Sequence, residues 1–228
     1  MIPRGRPTVC FIDLKALGWN FRQIRSKVGP QVKVLSIVKA NGYGHGATII
    51  AKALAAEGSD AFGVATLEEG VELRQAGIRT PILVLAGAHA DQVDQFFDNA
   101  LTPVVHAPES LKELELAAHA SKKTLTVHLK VDTGMGRLGF LAAEIDSWLP
   151  KIKKLKALKI EGVFSHFSQA ETVEGRYTQQ QLRIFQIVVE RLRAEGIAPS
   201  LVHLANSAAT ITLPAAYFDM VRPGLMLY

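Results

Sequence analysis

The sequence of 228 residues has one cysteine, few aromatic residues and no long purely apolar run. Cys10 has no partner in the chain, which excludes a disulfide framework and makes a reducing, cytoplasmic setting the expectation. Its place in the apolar run Thr8 to Ile12 reads as that of a buried, chemically idle thiol. Aromatics make up 7% of residues against 48% hydrophobic in all, so any core is mainly aliphatic, and a disordered or fibrous chain is excluded. The longest uncharged stretch, Gly196 to Phe218, carries His203, Asn206, Ser207, threonines and prolines that hydrocarbon would not solvate, so no membrane partner is expected. The basic start, Met1 to Pro7, is not followed by the apolar segment of an export signal, because Asp13 arrives too soon. Twenty-six basic against 21 acidic residues leave a net charge of +5, too mild to imply nucleic acid.

What is present is a regular alternation. Short β-branched or aliphatic runs at 32–40, 62–65, 81–85, 101–106, 125–132, 159–166, 200–205 and 220–227 read as strands. Helical patterns lie between them at 46–57, 67–75, 110–120 and 175–194, several ending at a glycine. Right-handed crossovers make such a sheet parallel, and eight βα steps in this length predict an α/β fold, a closed (β/α)8 TIM-type barrel. Residues 1–13 are expected to form a leading strand or arm, with Asp13 capping a helix over 14–27, and residues 14–228 the barrel domain. The eighth strand is the last element, so the final helix is lacking and the seam between strands eight and one is expected to be bare. The basic stretch 151–156 reads as a solvated helix face.

In such barrels reacting groups sit at the C-terminal ends of strands. Lys39, Asp132, Arg137, His166, Asn206, Ser207, Arg222 and Gly224 all fall there, so they are expected at one mouth. Lys39 follows an aliphatic run, and a partly desolvated amine can form an imine with a carbonyl; a lysine snorkelling from the rim is the plainer reading. The sequel Ala40-Asn41-Gly42-Tyr43-Gly44-His45-Gly46 favours the chemical one, because alternating glycines permit a tight loop. Gly134-Met135-Gly136-Arg137-Leu138-Gly139 spells a dinucleotide-binding G-x-G-x-x-G. However, the acidic residue such a site needs at the end of the next strand is missing: Glu161 lies inside that strand and His166 ends it. A loop that lets Arg137 reach a ligand oxygen is preferred. Ser207 at a helix start, beside the backbone amides of Gly224 and Leu225, suggests an anion pocket suited to phosphate.

Five ordered segments, Val38 to Gly46, Lys130 to Gly139, His166-Phe167, Asn206 to Ala209 and Val221 to Gly224, closely resemble the N-terminal domain of bacterial alanine racemases, fold-type III enzymes that use pyridoxal 5'-phosphate. The resemblance implies that Lys39 holds the cofactor and serves as base on one face of the substrate, and that Tyr43, Ser207, Gly224 and Leu225, with Asn206 nearby, hold its phosphate. It implies that Arg222 faces the pyridine nitrogen, that Arg137 meets the phenolic oxygen and the carboxylate of the substrate alanine, and that Lys130 is a site of carbamylation. His166 and His203 would stand behind the ring and Arg222. Family members are homodimers that supply D-alanine for the cell wall, and their β-rich C-terminal domain, not found in these 228 residues, brings the second base, a tyrosine. Two alternatives remain: a stand-alone barrel that carries pyridoxal phosphate without racemising anything, and an NAD-dependent oxidoreductase built on the glycine motif.

Overall fold

The computed structural model of the chain describes residues 9–171 and 175–228. Helix α1 (Leu14–Val28) precedes strand β1 (Lys33–Ile37), a single turn α2 (Lys39–Tyr43) and α3 (Ala47–Ala56). Then come β2 (Ala61–Val64), α4 (Leu67–Gln75), β3 (Ile82–Val84), α5 (Val93–Asp98), β4 (Thr102–Val105) and α6 (Pro108–Ala120). The second half runs β5 (Leu125–Asp132), β6 (Phe140–Leu141), α7 (Ile145–Ile152), β7 (Leu158–Phe164), α8 (Arg176–Ala194), β8 (Leu201–His203), α9 (Ser207–Thr212) and β9 (Met220–Val221).

All strand pairs are parallel, in the order β8-β7-β5-β4-β3-β2-β1-β9, with β6 appended to β5. The ends of that order meet: the Asp219 amide donates to Val202 O at 2.9 Å and the Arg222 amide to Ala205 O at 2.9 Å, while the Asp219 carboxylate accepts from the Val202 amide. Eight staves therefore close into the expected barrel. Two apolar layers hold it. Helix faces such as Leu17, Phe21, Ile50, Leu73, Leu114 and Phe185 pack on the outside of the staves. Leu35, Ile37, Leu83, Val104, Phe164 and Met220 form a smaller cluster, so the barrel is a packed core rather than a pore.

Four expectations change. The leading strand expected at Thr8 to Ile12 begins outside the described residues, and from Val9 onward it has no regular structure. Cys10 is exposed, not buried, since among the described residues no strand pairs with this segment. Asp13 does cap α1, accepting from the Lys15 and Ala16 amides at 2.8 and 3.1 Å, and α1 then fills the place where a bare seam was expected. Its face Leu17, Phe21, Ile24 and Val28 is buried, and Asn20 Nδ2 donates to Leu227 O at 3.0 Å, tying the helix to the turn after β9. In the basic stretch only Lys151 and Ile152 are helical, since α7 ends there.

Candidate active site

The C-terminal ends of the staves surround a cavity of about 610 Å³. Lys39, Tyr43, Lys130, Arg137, His166, Asn206, Ser207, Arg222, Gly224 and Leu225 all line it, as the strand-end argument requires. Asp132 does not. Its carboxylate turns back to accept from the amides of Gly134 at 2.7 Å, Gly136 at 2.9 Å and Arg137 at 3.2 Å, organising the loop that carries Arg137. The glycine motif is thus a folding device: a Cβ on Gly139 would stand 2.6 Å from the Asp132 backbone nitrogen, so only glycine lets β6 lie against β5.

Lys39 leads into an unusual turn. Ala40, Asn41, Gly42 and Tyr43 all have φ between 51° and 60°, one turn of left-handed helix. For residues with a Cβ this costs about 1–2 kcal/mol each, so the surroundings must impose it. They do so with the Gly42 amide on Val38 O at 2.9 Å, the Ala40 amide on Glu69 Oε1 at 2.7 Å, and Asn41 Oδ1 accepting from the Ala47 amide at 2.9 Å. The other Glu69 oxygen accepts from the Ala65 amide at 2.6 Å, so one carboxylate of α4 clamps the ends of two staves. The turn brings Lys39 and Tyr43 to the same cavity. The Tyr43 ring packs against Tyr228, whose hydroxyl donates to Ile37 O at 3.1 Å.

The same cavity holds a corner of hydrogen-bonding groups. The Ser207 hydroxyl accepts from the Gly224 amide at 2.9 Å and the Met226 amide at 3.4 Å. Asn206, rather than Ser207, caps α9, through the Ala209 amide at 3.0 Å, which frees the serine hydroxyl for the cavity side. A Cβ on Gly224 would stand 2.8 Å from the Tyr43 hydroxyl, so the glycine keeps space open between that hydroxyl and the two amides.

Arg222 is 5% exposed. Its Nη2 donates to Ser165 O at 2.6 Å and Leu204 O at 3.0 Å, and its Nη1 to His203 Nδ1 at 3.1 Å. Burial lowers its proton affinity below the ordinary arginine value, yet a guanidinium held by this many acceptors stays charged at neutral pH. Its field adds to burial to hold His166, whose Nδ1 lies 3.5 Å from Nη2, down to about 3, so that imidazole is neutral. Burial first, then Arg137 and Arg222, bring Lys130 down to about 8. Among the described residues, four cations, Lys39, Lys130, Arg137 and Arg222, share this cavity with one acidic lining residue, Glu171. Such an excess of positive charge around a cleft favours an anionic ligand.

Sequence reasoning missed Glu69, Met226 and Phe164. Phe164 lies beneath the guanidinium, with Cζ 5.1 Å from the ring centroid. Its signal was present in alternation, since Gly162, Phe164 and His166 share a parity along β7 and its continuation.

The sequence profile of the family described as alanine racemase, N-terminal domain, matches residues 12–228. An alanine racemase of Carboxydothermus hydrogenoformans is 42% identical over 223 residues, 98% of this chain and 60% of the relative. One of Desulforamulus reducens is 40% identical over 95% of this chain and 59% of its own length. Among solved structures, the alanine racemase of Clostridium difficile 630 in complex with cycloserine superposes with a TM-score of 0.90 at 33% identity, covering 94% of this chain and 59% of that one. The enzyme from Bartonella henselae with covalently bound pyridoxal phosphate does so at 0.85 and 28% identity, over 95% and 62%. The chain thus spans about 60% of the length of the curated relatives it matches, and it belongs to the alanine racemase family, whose N-terminal barrel domain it comprises.

Proposed function

We propose that this chain binds pyridoxal 5'-phosphate and forms the cofactor-holding part of a cytoplasmic alanine racemase, an isomerase that interconverts L- and D-alanine for cell-wall precursors and works as a homodimer. One observation carries the reading: an amine, a hydrogen-bonding corner with space kept open by Gly224, and a buried guanidinium line the same cation-rich cavity. The residues fit the group. Tyr43, Ser207, Gly224 and Leu225, with Asn206 fixing the start of α9 and Met226 now added, would hold the phosphate; Lys39 would bond to the aldehyde carbon; Arg222 would face the ring nitrogen. When bound, the cofactor supplies an electron sink that acidifies the hydrogen on the amino acid's Cα.

The chain's own groups do the rest. Lys39 takes and returns the proton at one face of Cα. A fixed cation at Arg222 opposes protonation of the ring nitrogen, which restrains the sink and disfavours side reactions that need a stronger one. His166, held neutral, adds no competing charge beside Arg222. Arg137 presents a planar fork to the substrate carboxylate. Lys130, with a proton affinity brought near neutrality, has the free amine needed to add carbon dioxide and release a proton, and the resulting anion would sit among Arg137, Arg222 and Lys39. Exchange at both faces of Cα needs a second group opposite Lys39, which we assign to the tyrosine of the family's C-terminal domain from the dimer partner.

Borohydride reduction of the cofactor-loaded chain followed by peptide mapping tests the first claim. The pyridoxyl group is expected on Lys39, and Lys39→Ala is expected to abolish both the label and the yellow colour; colour that survives the substitution refutes it. Deuterium exchange at Cα separates the racemase from a stand-alone carrier, because a carrier releases the cofactor to an apo-enzyme and exchanges neither alanine enantiomer.

A further inference from the structure

Behind Arg222 a line of polar contacts continues through the barrel. His203 Nε2 lies 2.9 Å from His128 Nδ1, and His128 Nε2 lies 3.5 Å from Glu161 Oε2. His203 and His128 are 0% and 3% exposed, whereas the Glu161 side chain is 37% exposed. The Glu161 carbonyl accepts from Ser200 Oγ, just ahead of β8, which places this carboxylate toward the N-terminal end of the staves, away from the cavity.

The order of donors along this chain has one solution. Arginine only donates, so His203 Nδ1 must accept and the proton of the neutral ring sits on Nε2. That proton points at His128 Nδ1, which must then accept, leaving the second ring's proton on Nε2 as well. The last donor needs an acceptor, and Glu161 is a carboxylate. The reverse order would set a His203 Nδ1 proton against the guanidinium. Both rings are held neutral by burial and by the charge of Arg222.

Two features of the backbone exist for this chain. Val127 pairs with Ile160 and His128 with Gly162, so Glu161 is the extra residue of a bulge, and a bulge re-aims the side chain it carries. At Gly162 a Cβ would stand 2.5 Å from His128 Cε1, so the glycine makes room for the ring. The Phe164 ring stacks on His203 at 4.8 Å with an interplanar angle of 8° and lies under Arg222, flanking the chain on one side.

We propose that Glu161 and His128 are positioning residues for Arg222: the guanidinium orders both histidine tautomers from one end, the carboxylate accepts the last proton at the other, and the completed line of contacts holds the guanidinium at the cavity. That Arg222 faces the cofactor rests on the function proposed above; the order of donors does not.

The test is long-range proton–nitrogen NMR on the 228-residue chain labelled with 15N-histidine at neutral pH, joined to titration with pyridoxal 5'-phosphate. In the wild type both His128 and His203 are expected neutral with the proton on Nε2. In Glu161→Ala the His128 Nε2 proton loses its carboxylate, so its ring nitrogen and proton shifts are expected to move and the cofactor to bind about three- to tenfold more weakly, the scale of one hydrogen bond. Glu161→Gln, which keeps an accepting oxygen, is expected to retain both tautomers and the affinity. A wild-type His203 with its proton on Nδ1 overturns the proposal. So does a folded Glu161→Ala with unchanged rings and affinity, or a Glu161→Gln that loses either. If Glu161→Ala does not fold, the wild-type and Glu161→Gln spectra decide. A wild type that shows the expected tautomers but takes up no pyridoxal phosphate defeats the proposed function and leaves the donor order standing.

Discussion

Alanine placed in turn at Gly136 and Gly139 separates two explanations of the glycine-rich loop. Both residues have positive φ, 71° and 131°. At Gly136 an added Cβ meets nothing within 4 Å, so the cost is the backbone conformation alone, about 1 kcal/mol. At Gly139 the conformation is worse, and the Cβ stands 2.6 Å from Asp132 N and 2.8 Å from Val131 C, backbone atoms of a central stave that cannot swing aside. Strain of about 1–3 kcal/mol and overpacking of about 1–3 kcal/mol add to roughly 4 kcal/mol, a large share of the 5–15 kcal/mol that holds a typical domain. With a urea slope of about 3 kcal/mol per molar, the Gly139→Ala midpoint should fall by about 1.3 M and that of Gly136→Ala by about 0.3 M. Urea titration followed by tryptophan fluorescence reads both. Equal shifts would refute the claim that Gly139 serves strand packing. A nucleotide cradle predicts a different pattern: mild effects on stability at both sites and binding of a nicotinamide nucleotide lost at both.

The buried amine of Lys130 gives a pH signature. With carbon dioxide excluded, so that the amine stays unmodified, its proton affinity is lowered in the fold to about 8 from an unfolded 10.5, so between these pH values the unfolded chain binds the extra proton and stability rises with pH, by up to about 3 kcal/mol. Lys130→Met should remove that rise, and parallel stability-against-pH curves for the two proteins would contradict it. Ser207→Ala and Tyr43→Phe should each weaken pyridoxal phosphate binding about three- to tenfold, measured by absorbance titration, while inorganic phosphate competes less well than it does for the wild type. Glu69→Ala removes the acceptor shared by the Ala40 and Ala65 amides and should cost about 1–3 kcal/mol, with faster hydrogen exchange at Ala40. Asp13→Ala should cost about 1 kcal/mol through the lost cap of α1, read as a lower thermal midpoint.

The barrel was legible because its staves are short apolar runs separated by helical periods, and β5 and α4 fall on the predicted residues. Strand ends told where the polar groups would gather, since geometry alone sends every C-terminal end of a parallel barrel to one side. The errors have a common cause. An apolar run such as Val9 to Ile12 looks like a strand whether or not a neighbour exists to pair with it, and Phe11 at 84% exposure shows the outcome without one. The covering of the seam by α1 depends on residues 207 positions apart, Asn20 and Leu227, which no local pattern links. Asp132 reads as a site residue because position along a strand does not say whether a carboxylate faces the cavity or curls onto its own loop. His128 gives no sign of its role for a similar reason. A histidine in an apolar stave carries no letter-level sign that a bulge opposite will deliver a carboxylate to it.

The closure of the seam by α1 bears on how the protein is made. The helix leaves the ribosome ahead of every stave, yet the turn at Leu225–Leu227 that it grips is the last part of these residues to be synthesised. Until then Leu17, Phe21 and Ile24 have only part of their final burial, and the nascent chain carries an apolar stripe exposed to other molecules. Loop-closure entropy over so wide a separation also places this docking late in folding. Chaperone demand should therefore be greatest just before the ninth strand emerges, and crosslinking of stalled nascent chains at Phe21 would record it.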